Sequence, residues 1–387
     1  MGNVGFPVRL GDSRRRPRAP RREQVNRARS DRPDDSLPIP MRLAYDFRTS
    51  SFRTAAELDA WHRQSSEPAL DPDLPIVDCH HHLWQRKNGD YLVDDFLADL
   101  TTGHHIRATV FVEGGTSYCE HASPALRPVG ETRFAVASAL AAPARWRNAI
   151  CAGIVARADL MLGDQVVPVL EAQHEAAAGR LRGIRFPIRW DAAGIGMWGH
   201  TYAQGRSADR SFRAAFRHLR AFDLSFDAFV YHHQLNEIAA LAGSFPETRI
   251  IVNHVGGPLG VGPYEGQRDA VFAEWKSGLA QVAAHSNVYM KLGGLGMLYT
   301  GFPFHLNAVP PGSEVLARSW APYVHECLEA FGVTRCMFES NFPVDQQSAS
   351  YSVVWNAFKR LTARCSPDEK RALFSATAAH AYRLALS

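Results

Sequence analysis

Cysteine is scarce and scattered: Cys79, Cys119, Cys151, Cys327, Cys336 and Cys365 form no CxxC pair and no regular spacing in 387 residues. That excludes a disulfide framework and a cysteine zinc site, and it fits a reducing cytoplasm. No run approaches the roughly 18 apolar residues of a membrane helix, and the start of the chain carries no apolar secretory segment. There is no GxSxG elbow, no HExxH helix and no P-loop lysine behind the glycine clusters GGPLGVG (256–262) and GGLG (293–296). A serine hydrolase therefore has no nucleophile to point to, and the glycines read as loops that approach a substrate closely.

Net charge is +4, yet residues 1–40 alone carry +5, from ten Arg against five acids, and the rest carries −1. The body of the chain thus has no electrostatic bias toward nucleic acid or anionic membrane. Residues 1–40 (RRRPRAPRR, DRPDDSLPIP) hold too few apolar side chains to offset their ordering entropy and read as a disordered basic extension. Foldable sequence begins at Met41, which is the expected true start. Residues 41–74 read as a lead-in and 75–387 as one domain.

With 46% apolar and 21% charged residues the chain can bury a large core. Eight strand-like runs follow one another: 75–79, 107–113, 149–156, 181–186, 225–231, 249–255, 288–292 and 335–340. Helical periods separate them. In one, Val167, Leu170, His174 and Ala177 or Ala178 share a stripe, with Gly179 placed to end the helix. A last helix opens on the capping box Ser366, Pro367, Glu369. Near-continuous apolar strands alternating with helices predict a parallel sheet covered on both faces. A doubly wound sheet would show a glycine-rich phosphate loop after its first strand, where this chain reads DCHHHLW. The expected fold is α/β, a (β/α)8 TIM barrel with additional C-terminal helices.

The active site of such a barrel lies at the carboxyl ends of its strands, and there this sequence concentrates histidine. Alternation puts His80 and His82 on one side of the first strand and His81 on the other. The fifth strand runs into His232 and His233, the sixth into Asn253 and His254. Imidazoles from separate strands are the donors of zinc and similar ions, so a shared pocket is expected. Glu113, Arg157, Asp159, Arg185 and Lys291 also end strands. Arg185 is the first choice to grip a carboxylate, and Lys291 is a point-charge alternative; an ion-pair layer is the structural reading. Trp84 and Tyr264 are nominated as pocket walls, while Tyr118, Trp190 and Trp198 read as packing.

PIVDCHHHLW, ADLMLGD, LRGIRF, NHVGGPLG, KLGGLGM and MFESNFPVD together resemble the amidohydrolase superfamily, and within it the amidohydrolase-related branch of sugar lactonases and pyrone dicarboxylate lactonases. The resemblance spans residues 75–385. It implies a TIM barrel that hydrolyses a small, often acidic, cyclic ester. It further implies that His80, His82 and His254 bind a divalent ion, zinc first among them, or polarise the carbonyl without a metal. His232 stands near the fifth-strand position. The family aspartate at the end of strand eight is here Asn341, whose amide accepts no proton. Asp345 is preferred as the substitute carboxylate, with Glu339 the alternative expected to sit inside the packed barrel. Asn341 itself could orient water or substrate. A small, anionic substrate is the expected partner, and a homo-oligomer stays open. Rival readings are a metal-dependent decarboxylase of an unsaturated or aromatic acid, and a silent ligand-binding relative.

Overall fold

The computed structural model describes residues 52–86, 89–196 and 202–386. The expectations for residues 1–40, for Met41 and for Trp198 lie outside them. Eight strands form one parallel sheet in sequence order: β1 (Pro75–His81), β2 (His105–Val112), β3 (Gly153–Arg157), β4 (Leu181–Arg185), β5 (Ser225–Ala228), β6 (Ile250–Val252), β7 (Val288–Leu292) and β8 (Cys336–Phe338). Each consecutive pair is laddered. β8 meets β1 through a single parallel bridge, His81 to Phe342, so the barrel is nearly closed. This is the TIM barrel that the alternation predicts.

Inside it, Val77, Cys79, Val110, Val155, Ile251 and Met337 form an apolar core. The C-terminal segment covers the amino ends of the strands, with Tyr382 packed into that core and the Arg383 guanidinium donating to Arg182 O. Outside, the helices bury a second, larger apolar layer against the strands. The lead-in is part of this fold: Gln347 Oε1 accepts the N–H groups of Phe52 and Arg53, and Trp61 donates to Asn307 O. No helix among the described residues is long and apolar enough to cross a membrane.

Several strands are shorter than their apolar runs suggest, and for three of them backbone geometry gives the reason. β6 stops at Val252 because His254 and Val255 take positive φ (56° and 46°), and β8 stops at Phe338 ahead of Asn341, at φ 54°. β3 begins only at Gly153, after Cys151 at φ 49°. The helical stripe needs correction as well. In the helix Val167–Ala176 the buried residues are Val169, Leu170 and Gln173, while His174 is exposed. Gln173 is tolerated inside because its side chain donates to Arg157 O and accepts from Thr132. The capping box of Ser366 and Glu369 forms as expected.

Candidate active site

The site begins with a slip in β1. Asp78 pairs with Thr109 and His81 with Phe111, three residues against two. The extra residue lets Cys79 and His80, although consecutive, both lie inside the barrel: Cys79 joins the apolar core, and His80 meets Glu339 and Lys291. His81 faces outward as expected, stacked 4.1 Å from Phe96 with Nε2 2.9 Å from Thr109 Oγ1. Burial drives its pKa down to about 3, so it is a neutral packing residue.

His82 Nδ1 lies 2.7 Å from Val112 O and must carry the proton, which leaves Nε2 an acceptor in the neutral ring. That Nε2 stands 3.2 Å from His80 Nε2. His80 Nδ1 lies 2.8 Å from Glu339 Oε2 and 3.3 Å from Lys291 Nζ. Glu339 Oε2 nevertheless makes no hydrogen bond although it is buried. The other oxygen, Oε1, accepts from both the backbone N–H and the ring Nδ1 of His254, at 2.9 and 2.7 Å. Burial pulls the pKa values of His80 and His82 well below the ordinary imidazole range, reinforced by Lys291 and Arg185 respectively. His254 is also lowered by burial, with Glu339 opposing the shift. Neutral imidazole is the form that binds metal ions.

One donor atom each from His80, His254 and Glu339 lies within 4.8 Å of the others, so these three could hold a metal ion. The fit is chemical as well: two imidazoles, a carboxylate and one buried oxygen without a hydrogen-bond partner suit a catalytic zinc-type centre with an open position. Of the expected trio, His80 and His254 belong to this group, while His82 lies outside it with its Nε2 beside His80. Asp345, the preferred substitute carboxylate, lies in the loop after β8 with both oxygens engaged. Asp345 Oδ1 accepts from Asn341 Nδ2 at 2.7 Å and Oδ2 from Gly296 N at 2.9 Å, so both oxygens brace the loop after β8. Burial pushes its pKa well above the carboxylate range. Glu339 does sit in the packed interior, as expected, and there it meets His80 and His254.

The charged residues form a second ring. Arg185 donates Nε to Glu113 Oε1 (2.7 Å) and Nη2 to Glu113 O, so its bidentate grip falls on Glu113, and Nη1 is left 3.4 Å from His80 Nε2. Arg157 approaches the same carboxylate at 3.7 Å, which makes the ion-pair layer that the strand ends suggest. Asp159 instead caps the next turn, accepting from Met161 N. Lys291 is fully buried and paired with Asp227 at 2.8 Å, an anion also held by Tyr382 and Asn253. It therefore meets His80 from within the barrel and is no exposed substrate clamp.

Trp84 stacks beside His82, 5.7 Å between rings, where a wall is expected. His232 and Tyr264 pack on each other at 5.2 Å, with the Tyr264 hydroxyl on Asp191 and His232 Nε2 3.5 Å from Glu274. Their described contacts form a separate group beside the histidine cluster. Phe229, which the sequence reading passed over, occupies the fifth-strand place against His254 at 5.0 Å. Asp78 and Asp227 received no role from the sequence, and Asn253 was placed at a strand end without one. Each is a polar residue in an otherwise apolar strand run, the one signal that could have found them.

Comparison with known proteins agrees with this picture. The profile of the amidohydrolase family matches residues 77–384. An uncharacterized protein, y4mH of Sinorhizobium fredii, is 31% identical over 337 residues, covering 81% of this chain and 99% of its own. An L-fucono-1,5-lactonase of Burkholderia multivorans is 27% identical over 326 residues, 80% of this chain and 96% of that one. Among solved structures, an amidohydrolase of Burkholderia multivorans with bound zinc superposes with a TM-score of 0.62 at 25% identity, over 80% of this chain and 99% of its own. A putative 2-pyrone-4,6-dicarboxylic acid hydrolase of Pseudomonas putida shares the fold, with a TM-score of 0.53 at 15% identity over 81% and 99% of the two chains. The chain belongs to the amidohydrolase family.

Proposed function

We propose that this protein is a hydrolase that opens a small lactone or related cyclic ester. One observation carries the reading: side chains at the ends of three separate strands, His80, His254 and Glu339, meet at one buried spot at the carboxyl end of the barrel. The similarity to L-fucono-1,5-lactonases supports the ester class. His80, His254 and Glu339 would hold a divalent ion, zinc first among candidates. When bound, such an ion polarises a carbonyl and acidifies water.

The chain's own residues supply the remaining requirements. Val112 O fixes the His82 tautomer so that Nε2 can accept a proton or a hydrogen bond beside His80. Glu113 holds Arg185 so that Nη1 points toward His80, where it can meet the oxygen that gains charge during attack, or a substrate carboxylate. Asn341 is tied to Asp345 and orients the loop; it takes no proton.

The test is a pH-stat screen of neutral aldono-1,5-lactones and of anionic lactones and pyrones, before and after chelation and zinc replacement. Acid release that disappears in His254→Ala supports the reading, and recovery with zinc supports the metal-dependent form. Release that survives chelation supports polarisation by the protein alone. No acid release from any member, or release of carbon dioxide instead, overturns it.

A further inference from the structure

The cluster straddles the one junction of the barrel that carries no ladder. His80 stands on β1, and Glu339 follows β8. Between them, among the described residues, backbone joins backbone only through Asn341 N donating to His80 O (2.9 Å) and His82 N donating to Phe342 O (2.7 Å), with the weak Cys79 Sγ donor on Phe338 O (3.0 Å) beside them. Two backbone bonds leave the spacing of the two strand ends weakly defined, whereas the chemistry needs them fixed to a fraction of an ångström.

Asp78 lies at this seam. Its carboxyl is fully buried and accepts from Ser340 N (2.9 Å), Ser340 Oγ (2.6 Å) and the Tyr351 hydroxyl (3.0 Å), with the N–H of His80 at 3.4 Å. Ser340 is the residue between Glu339 and Asn341, and its Oγ in turn accepts from Phe342 N at 3.2 Å. A single side chain two residues before His80 thus holds the residue next to Glu339 by both backbone and hydroxyl. Burying a carboxyl is costly, and an apolar residue would glue strand to helix more cheaply; what the acid adds is direction.

We propose that Asp78 is a positioning residue, the clasp of the β1/β8 seam, which sets the separation of His80 and Glu339 by holding Ser340. It touches no reacting atom. Its effect on turnover rests on the lactone-hydrolase reading, but its effect on the seam does not.

Amide hydrogen exchange on the full chain tests it. In Asp78→Asn, segments 78–83 and 338–344 exchange at least about tenfold faster while β3 to β6 keep their protection, the mark of local and not global opening. Ser340→Ala shows the same pattern more weakly, and it carries the test if Asp78→Asn does not fold. Tyr351→Phe leaves the seam protected, because that bond comes from the covering helix. On any lactone the protein turns over, Asp78→Asn lowers kcat with KM held. Unchanged seam exchange in Ser340→Ala, or equal acceleration throughout the barrel in Asp78→Asn, overturns the proposal. Absence of lactone turnover with the seam pattern intact would sink only the functional reading.

Discussion

Glu339 Oε1 accepts two hydrogen bonds from one residue, the backbone N–H and the ring Nδ1–H of His254. The ring is thereby locked in orientation and tautomer, as carboxylates lock histidines in metal and hydrolytic sites. The sharp left-handed backbone at His254 and Val255 is the sort of strain that persists where surrounding structure over-determines it.

Glu339→Gln keeps the size and removes the charge. An amide can accept from His254 with its oxygen, but its NH2 then faces His80 Nδ1. We expect kcat on the true substrate to fall by about 100-fold or more, with the melting temperature little changed. Steady-state kinetics beside a thermal melt checks this; full activity in the variant would remove Glu339 from the site.

Asn341→Asp asks whether the position where the family resemblance implies an aspartate accepts one. Here it would set a second acid 2.7 Å from Asp345 Oδ1, itself buried and pushed toward its neutral form. Two carboxyls at that distance share one proton and resist losing it. The variant should melt lower than the parent, by an amount that grows from pH 5 to pH 8 because the unfolded chain gives up a proton that the fold retains, and should gain no activity. A rise in kcat without loss of stability would return the base to position 341.

How far the sequence discloses this site depends on range. The eight strands and the inward His80 and His82 are legible because burial on both faces and period-two alternation are local rules. The roles of Glu339 and Arg185 are not, because each is decided by a partner 85 or 72 residues away in the chain, His254 and Glu113. Asp345 looks freer than Glu339 in the sequence because loops are usually mobile, and nothing local reveals that Gly296 and Asn341 tie it down. Gln173 shows the same limit in the core: a hydrophobic pattern cannot register a polar side chain that is buried because it is satisfied.

Gly294 predicts a second kind of loss. At φ 67° it leaves room where an added Cβ would lie 2.5 to 2.6 Å from atoms of His254. Gly294→Ala must push that ring off Glu339, so activity should fall with stability, by about 1–3 kcal/mol from strain and overlap. Gly179→Ala is the control, with similar φ, 81°, and nothing within 4 Å of the new methyl. It should cost about 1–2 kcal/mol of backbone strain and leave kcat alone. Equal kinetics in the two variants would show that His254 needs no such clearance.

His104 gives a pH dependence away from the site. Its Nδ1 accepts from Lys359 Nζ at 2.9 Å, and its Nε2–H donates to Ser352 O at 3.1 Å. Burial, with Lys359 beside it, lowers its pKa to about 4 from the ordinary 6.5. The folded protein therefore keeps this ring neutral where the unfolded chain protonates it. Its contribution to stability is complete above pH 6.5 and is lost as the pH falls toward 4, with a slope of up to about 1.4 kcal/mol per pH unit inside that window. His104→Gln retains a donor for Ser352 and cannot titrate, so the difference in unfolding free energy between parent and variant should shrink from pH 7 to pH 4. Urea titrations at each pH measure it. A difference that stays constant, or widens on acidification, would mean that His104 is protonated in the fold.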